Sequence, residues 1–495
     1  MNLFDESFNT LLGTTWQFTP SDDLVLRTQL SWYRNDGSGV FDGTFVDPSQ
    51  NSGNLGRADT AGLRFVRFGV DYGYAYSKST LTQNVLWSTG GHLLEFGAGV
   101  DLLRTDFTRF FTVDETFRQF LVSQGQPVPT DFTETLSYHR YHFYLEDRFR
   151  IGSRLVVDPG LRLDVYPVLG RSAEIAPRLG LSYKLDDVST VRAAYGLYGQ
   201  SPGMEKADFR TRVAYTAEWL STLVAERAQH YVVGYDRLFG PEWEFRVETY
   251  YKDFTRSIVP EKVTGSRWVS APTGADPLTP EGWERPVLVA SDSLTSRPVN
   301  DAQGSAYGFE VLFQKVQSLP SDRFTGWVGY ALSFAERVRD GIRTPFLFDQ
   351  RHAVNAVGNF RFADRWDIGL RFTLRSGRPF QDAIGVKPRI VVGSSGGSPV
   401  GVVQTDESGK VILDVDYERE TYSGRLNLYH TLDVRITTYP RWWGLDWSVY
   451  LDVQNLYNRH NEQQMRYYVD AQARLQRRPI YGIPLFPSLG FSLSF

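Results

Sequence analysis

The 495 residues contain no cysteine, so neither a disulfide framework nor a thiolate metal site can be built, and the chain suits an oxidising compartment. Methionine is scarce, at 3. No apolar run approaches the roughly 18 residues of a membrane helix, and the mean hydropathy is −0.33, so a helical membrane protein is excluded. A strong charge of one sign is also missing. The 53 basic and 57 acidic residues leave a net −4, too weak a field to favour nucleic acid. The start, Met1-Asn-Leu-Phe-Asp-Glu-Ser7, has neither the basic opening nor the apolar stretch of a signal peptide. From the sequence alone the chain is either mature or has lost its start.

Aromatic residues are abundant, at 15%, and they fall in a period-two pattern. At the end of the chain Leu489, Phe491, Leu493 and Phe495 alternate with Ser488, Gly490, Ser492 and Ser494. That is a strand with one apolar face. The same dyad sets Leu445, Trp447, Val449, Leu451, Val453 and Tyr457 against Asp446, Ser448, Tyr450, Asp452 and Gln454. It sets Leu428, Leu432, Val434 and Ile436 against Asp433, Arg435 and Thr437, and Trp366, Ile368, Leu370, Phe372 and Leu374 against Asp367, Arg371, Thr373 and Arg375. Earlier strands read the same way at 178–185 and 243–251, where Arg246 and Glu248 take the polar face.

A soluble sandwich also alternates. Two features separate the possibilities. Many segments run ten or more residues, enough to cross a bilayer when tilted. Short turns at 150–154, 186–189, 239–242, 317–322, 363–365 and 440–444 alternate with long loops near 200–225, 257–302, 336–350, 376–426 and 458–485. That asymmetry belongs to an outer-membrane barrel, and Tyr439, Trp442 and Trp443 fit an interfacial girdle. The expected fold is all-β, a transmembrane antiparallel β-barrel with 17 or 18 strands visible, residues 59–88 forming one long strand or two. With a short turn at 19–23 the chain begins on the long-loop side. A closed bacterial barrel has an even strand number, so amino-terminal strands are expected to be missing.

Several stretches resemble the barrel of TonB-dependent outer-membrane receptors, nearest to those carrying a carboxypeptidase-regulatory-like domain. They are Ala176-Pro-Arg-Leu-Gly-Leu-Ser-Tyr183 with Thr190-Val-Arg-Ala-Ala-Tyr-Gly196 and Gln200-Ser-Pro202, then 231–235 and 248–254. Phe348-Asp-Gln-Arg-His352, Arg375-Ser-Gly-Arg-Pro-Phe380, Tyr450-Leu-Asp-Val-Gln-Asn-Leu-Tyr-Asn458 and the closing 490–495 follow in order. The resemblance covers about residues 90–495. It implies a 22-stranded barrel in the outer membrane of a Gram-negative cell, filled by a plug and driven by the TonB complex. It implies uptake of a scarce nutrient of siderophore, cobalamin or oligosaccharide class. Phe495 resembles the terminal aromatic read by the outer-membrane assembly machinery. The plug and the energy-coupling box are not found here, so residues 1–495 are expected to be a single barrel domain of a truncated receptor.

Enzyme motifs are nearly absent, and no catalytic residue, metal site or cofactor is expected. Gly393-Ser-Ser-Gly-Gly397 fits a nucleophile elbow only on paper, lacking the strand-to-helix setting. His139 and His142 stand three apart, on opposite faces of a strand. Luminal charges such as Asp433, Arg435, Asp452, Arg246 and Glu248 read as cross-strand ladders, and Asn455 and Asn458 as turn residues. Ligand contacts are expected from the long loops: Trp268, Trp283 and Arg285 in one, Arg466, Tyr467 and Tyr468 in the last, because exposed aromatics and arginines stack on sugars or hold anionic chelates. The alternatives are a passive porin, a barrel enzyme and a soluble carbohydrate-binding β-protein.

Overall fold

The computed structural model describes residues 2–46, 65–115, 117–118, 131–202, 216–316, 322–395, 398–406, 408–417 and 422–494. One antiparallel sheet of 19 strands dominates, and its neighbours in space follow one another in sequence. Two of the nineteen are spurs, Ile342–Pro345 and Arg441–Trp442, which leaves 17 long strands. These are β1 Asn2–Ser21, β2 Leu24–Val46, β3 Phe65–Thr89, β4 His92–Val113, β5 Phe132–Ile151, β6 Leu155–Val165, β7 Ala173–Lys184, β8 Ser189–Gln200 and β9 Glu226–Phe239. Then come β10 Trp243–Val269, β11 Val287–Lys315, β12 Phe324–Arg339, β13 His352–Ala363, β14 Trp366–Arg375, β15 Tyr429–Thr438, β16 Leu445–Gln454 and β17 Phe486–Ser494. The count agrees with the expected 17 or 18. Residues 65–89 make one strand of 25 residues, and the remainder of the ambiguous stretch lies outside the described residues.

Short and long connections alternate, except that 166–172 on the long side is one residue shorter than 316–323 on the short side. One end carries turns at 22–23, 90–91, 152–154, 185–188, 240–242, 316–323, 364–365 and 439–444. The other carries 47–64, 114–131, 166–172, 201–225, 270–286, 340–351, 376–428 and 455–485. Gly90 and Gly91 make one of the two-residue turns, with φ of 57° and 89°, a backbone that side chains disfavour.

The stretch 257–302, expected as a long loop, is mostly strand. Pairing runs on from Lys262 opposite Leu294 to Val269 opposite Val287, so only 270–286 is loop. Here the register shifts at bulges between Phe254 and Ser257 and between Pro260 and Lys262, and Val259, Pro298 and Ala302 are buried, so a single alternation no longer marks the strand. Strand also runs inside 376–426 and 458–485. Three small hairpin sheets pair Pro379–Phe380 with Gly424–Arg425, Ala383–Pro388 with Leu413–Tyr417, and Ile390–Ser395 with Ser398–Val403; Glu462–Val469 pairs with Leu475–Tyr481.

Register carries one apolar face across the sheet. Leu370 stands opposite Val434, and Val434 opposite Val453. Ile436 stands opposite Leu451, and Leu451 opposite Leu489. On the edge strand β17, Leu489 is 77% exposed and Phe491 72%, large apolar side chains that continue the lipid-side face. Phe495 lies outside the described residues. Aromatics bound this face at both ends. Near the short turns, Trp243 stacks on Phe313 at 5.0 Å and Trp447 meets Trp442 at 6.0 Å. Toward the loops, Tyr195, Tyr231, Tyr251, Tyr307 and Phe334 form a ladder over five strands with ring spacings of 5.2, 6.4, 6.5 and 5.2 Å. From Trp243 to Tyr251, eight residues of tilted strand span about 20 Å, close to the apolar band of an outer-membrane barrel.

The opposite, luminal face is wet and paired. Arg435 reaches Asp452 at 2.7 Å and Arg371 reaches Asp433 at 2.6 Å, each between adjacent strands. Arg192 and Arg246 share Asp236 at 2.8 and 2.7 Å. The ladders expected for Asp433, Arg435, Asp452 and Arg246 are present.

At the loop end the lumen of β4–β7 is capped by an apolar cluster. Helix α1, Ala217–Thr222, starts where the Thr216 hydroxyl accepts the Trp219 N–H. Its Leu220, with Leu223 just after it, is fully buried against Leu103, Leu136, Tyr138, Tyr166 and Leu169. The Asn300 side chain fastens the cap, accepting from Val224 N at 2.9 Å and donating to Arg256 O at 2.7 Å. Below it Glu174, 3% exposed, is held by Arg227 and Arg256.

Candidate functional site

The luminal face of β14 ends at Arg371, Thr373 and Arg375, side chains that its dyad turns away from lipid. The loop after β16 folds over them because three asparagines pin it. Asn455 takes a left-handed φ of 51°, which asparagine tolerates better than most residues. Its side chain donates to Arg459 O at 2.9 Å and Ile483 O at 3.1 Å. Asn458, with φ 52°, accepts the Leu485 N–H at 2.9 Å. Asn461 clamps His430, accepting from its N–H and donating to its carbonyl at 3.0 and 2.9 Å. Asn455 and Asn458 therefore serve the turn, as the sequence suggested.

Under this loop lies a cavity of about 300 Å³. Asn355 of β13, Arg371, Thr373 and Arg375 of β14, Tyr429, Thr431 and Asp433 of β15 and Gln454 of β16 line it, with Asn455, Asn461, Gln463, Gly482 and Ile483 from the loop. The lining divides in two. Asp433, Arg371, Asn455 and Asn461 bond one another or the backbone and form the frame. The side chains of Asn355, Thr373, Arg375, Tyr429, Gln454 and Gln463 have no hydrogen-bond partner among the described residues. Ile483 is the sole aliphatic side chain in the lining. Alternation had already turned Arg371, Thr373, Arg375, Asp433 and Gln454 inward, but no sequence signal showed the roof folding back.

The residues expected to bind ligand are placed differently. Trp268 lies on the strand end of β10, half-buried, its ring so close over Gly401 that a Cβ there would come within 2.6 Å. Trp283 is 7% exposed and its indole N–H donates to Pro277 O at 2.8 Å, so it supports the loop instead of facing water. Arg285 is exposed beside it. Arg466, Tyr467 and Tyr468 sit on the Glu462–Val469 strand. Tyr467 points inward, its hydroxyl bonded to Asp382 and its ring 6.1 Å from Tyr417. Burial first, then the Asp382 carboxylate, push its ionisation up to about 12. Arg466 and the half-exposed Tyr468 face outward, Arg466 directly opposite Arg478. At the tip of this hairpin the Arg474 and Gln472 N–H groups donate to Asp470, and its carboxyl falls to about 2, chiefly through the Arg474 N–H.

These hairpins interlock into a canopy. Val411 N–H donates to Leu278 O at 2.9 Å, Arg378 to Gln463 O at 3.2 Å, and Arg425 grips Asp349, which is 3% exposed. Gly393 to Ser395 climb one side of a hairpin with no helix after them. His139 pairs with Leu102 on the lipid-side register and His142 with Gly99 on the luminal one. Among the described residues no cluster of three metal-ligating side chains exists.

The family described as TonB dependent receptor-like, beta-barrel matches residues 2–456. Among solved structures, the ferric-catecholate import receptor Fiu of E. coli K12 aligns at a TM-score of 0.58 with 14% identity over 98% of this chain. The ferric citrate transporter FecA gives 0.58 and 14% over 99%, and the ferric yersiniabactin uptake receptor FyuA of Yersinia pestis 0.55 and 12% over 99%. At such identities the likeness is one of fold. The chain spans 64%, 62% and 61% of those three proteins. No curated protein matches significantly in sequence.

Proposed function

The chain belongs to the TonB-dependent receptor-like β-barrel family, and on that premise we propose that it is the barrel and outer canopy of an outer-membrane receptor for energy-coupled uptake of a scarce nutrient. The long-loop end faces the outside of a Gram-negative cell. The carrying observation is the contrast between the two rims: at the loop end hairpins from several connections interlock into a canopy over a polar cavity, whereas the turn end carries short connections that build no canopy among the described residues. Ligand is captured there without covalent chemistry. The luminal ladders keep the wall wet for a plug that the TonB complex moves from the periplasm. The neighbours are named as importers of ferric chelates, which supports the import class.

Residues 1–495 are read as one barrel domain, of the carboxypeptidase-regulatory-like type and working with a plug outside these residues. With 17 long antiparallel strands among the described residues, β1 and β17 run in the same direction. Arg285, Arg466 and Tyr468 are outward-facing ligand contacts of the canopy, and Phe495 the signal to the assembly machinery. Trp268, Trp283 and Tyr467 hold the canopy in shape. The test is planar-bilayer conductance beside nutrient uptake in a deletion strain. Uptake lost on deletion and restored only with TonB present is the expected result; steady, ligand-independent conductance with TonB-independent uptake would make the protein a porin.

A further inference from the structure

We propose that the cavity beneath the 455–485 loop binds an acidic sugar unit, a polyhydroxylated ring bearing one carboxylate. This deepens the uptake-receptor reading and rests on it.

The frame residues are spent on each other: Arg371 is neutralised by Asp433 at 2.6 Å. Arg375 is left as the one cation in the lining without a carboxylate among the described residues. A guanidinium fork matches a carboxylate with two parallel bonds. Around it stand three amides, Asn355, Gln454 and Gln463, and the hydroxyls of Thr373 and Tyr429, none engaged with protein. Each amide offers both donor and acceptor, which is what a hydroxyl-bearing ring requires. Ile483 alone supplies aliphatic surface, too little for a ligand held by apolar contact. A single unneutralised cation is also poorly matched to a ferric chelate carrying several negative charges. The size of about 300 Å³ sits at the small end of ligand pockets, suited to one or two sugar rings. The site is prearranged, since Asn455 and Asn461 hold the roof through four hydrogen bonds to backbone groups.

The experiment uses the whole receptor that carries residues 1–495, folded in detergent and titrated calorimetrically with trimers of galacturonate, glucuronate and mannuronate, with the neutral trimers of the parent sugars, and with a ferric tris-catecholate. At least one acidic trimer is expected to bind 10-fold or more tighter than its neutral parent. Arg375→Gln should weaken that trimer by about 10- to 100-fold, the range of a hydrogen bond to a charged group, and leave the neutral trimer unchanged. Heat-modifiable migration of the variant checks that it folds. Equal binding of acidic and neutral trimers, or an acid preference that survives Arg375→Gln, overturns the proposal. Binding of the ferric chelate without the sugars overturns the ligand class but leaves the receptor standing. Silence of every probe, joined to TonB-independent uptake, removes both.

Discussion

The backbone N–H of Asn455 donates to one carboxylate oxygen of Asp433 at 2.8 Å, while Arg371 holds the other at 2.6 Å. A single luminal carboxylate thus ties the ladder of the wall to the hinge of the roof. Asp433→Asn keeps the shape and removes the charge. The expected loss is about 1–3 kcal/mol, toward the lower end because the Arg371 side chain is 60% exposed. Hydrogen exchange should accelerate over 455–485 and stay unchanged over β4–β9. Unaltered protection of the loop would show that Asp433 does not anchor it.

Arg466 and Arg478 stand directly opposite each other on the outward face of the last hairpin. Like charges so placed repel. Arg478→Glu should therefore stabilise the hairpin by about 0.5 kcal/mol, read as slower amide exchange at 464–469, an effect that fades in high salt.

Asp470 supplies the acid response of the same hairpin. Its folded carboxyl ionises near 2, below the ordinary 3.8. A lowered value means that the stabilisation is fully present above about pH 4 and is lost as pH falls toward 2. The Gln472 and Arg474 amides should lose protection across that window. In Asp470→Asn the window should vanish, with weaker protection already at neutral pH.

Gly490 has room for no more than hydrogen: a Cβ would come within 2.3 Å of the Tyr450 ring, which in turn lies under Arg435 at 4.3 Å. Gly490→Val should displace Tyr450 and weaken the β16–β17 pairing, seen as a lower unfolding temperature of the detergent-folded barrel. Tyr450→Ala should relieve the effect.

The strands most legible in the sequence are those whose length matches the lipid band. β14 is placed to the residue and β16 to within three, because one face meets lipid and the other water. The dyad carried the 445–457 reading past Gln454 to Tyr457, where the left-handed Asn455 ends the strand. The outer halves of β10 and β11 are illegible because bulges near Ser257 and Glu261 shift the register and residues such as Val259 and Ala302 are buried there, which breaks the alternation. Burial is the part of Trp283 that the sequence does not show: an indole in a loop reads as available, yet here its N–H donates to Pro277 O. Half of the cavity was legible, because the inward residues of β14 follow from parity. The other half comes from residues 455–483, whose fold depends on backbone bonds that leave no periodic mark.

The central claim is that even-numbered residues of β14 face lipid and odd-numbered ones the lumen. The absence of cysteine makes it directly accessible. Single cysteines at each position from 366 to 375, labelled with an environment-sensitive fluorophore and reconstituted in vesicles, should alternate strictly. Labels at 366, 368, 370, 372 and 374 should be quenched by lipid-borne quenchers, and those at 367, 369, 371, 373 and 375 by water-soluble ones. Uniform access of the water-soluble quencher to all ten positions would contradict a membrane-spanning wall.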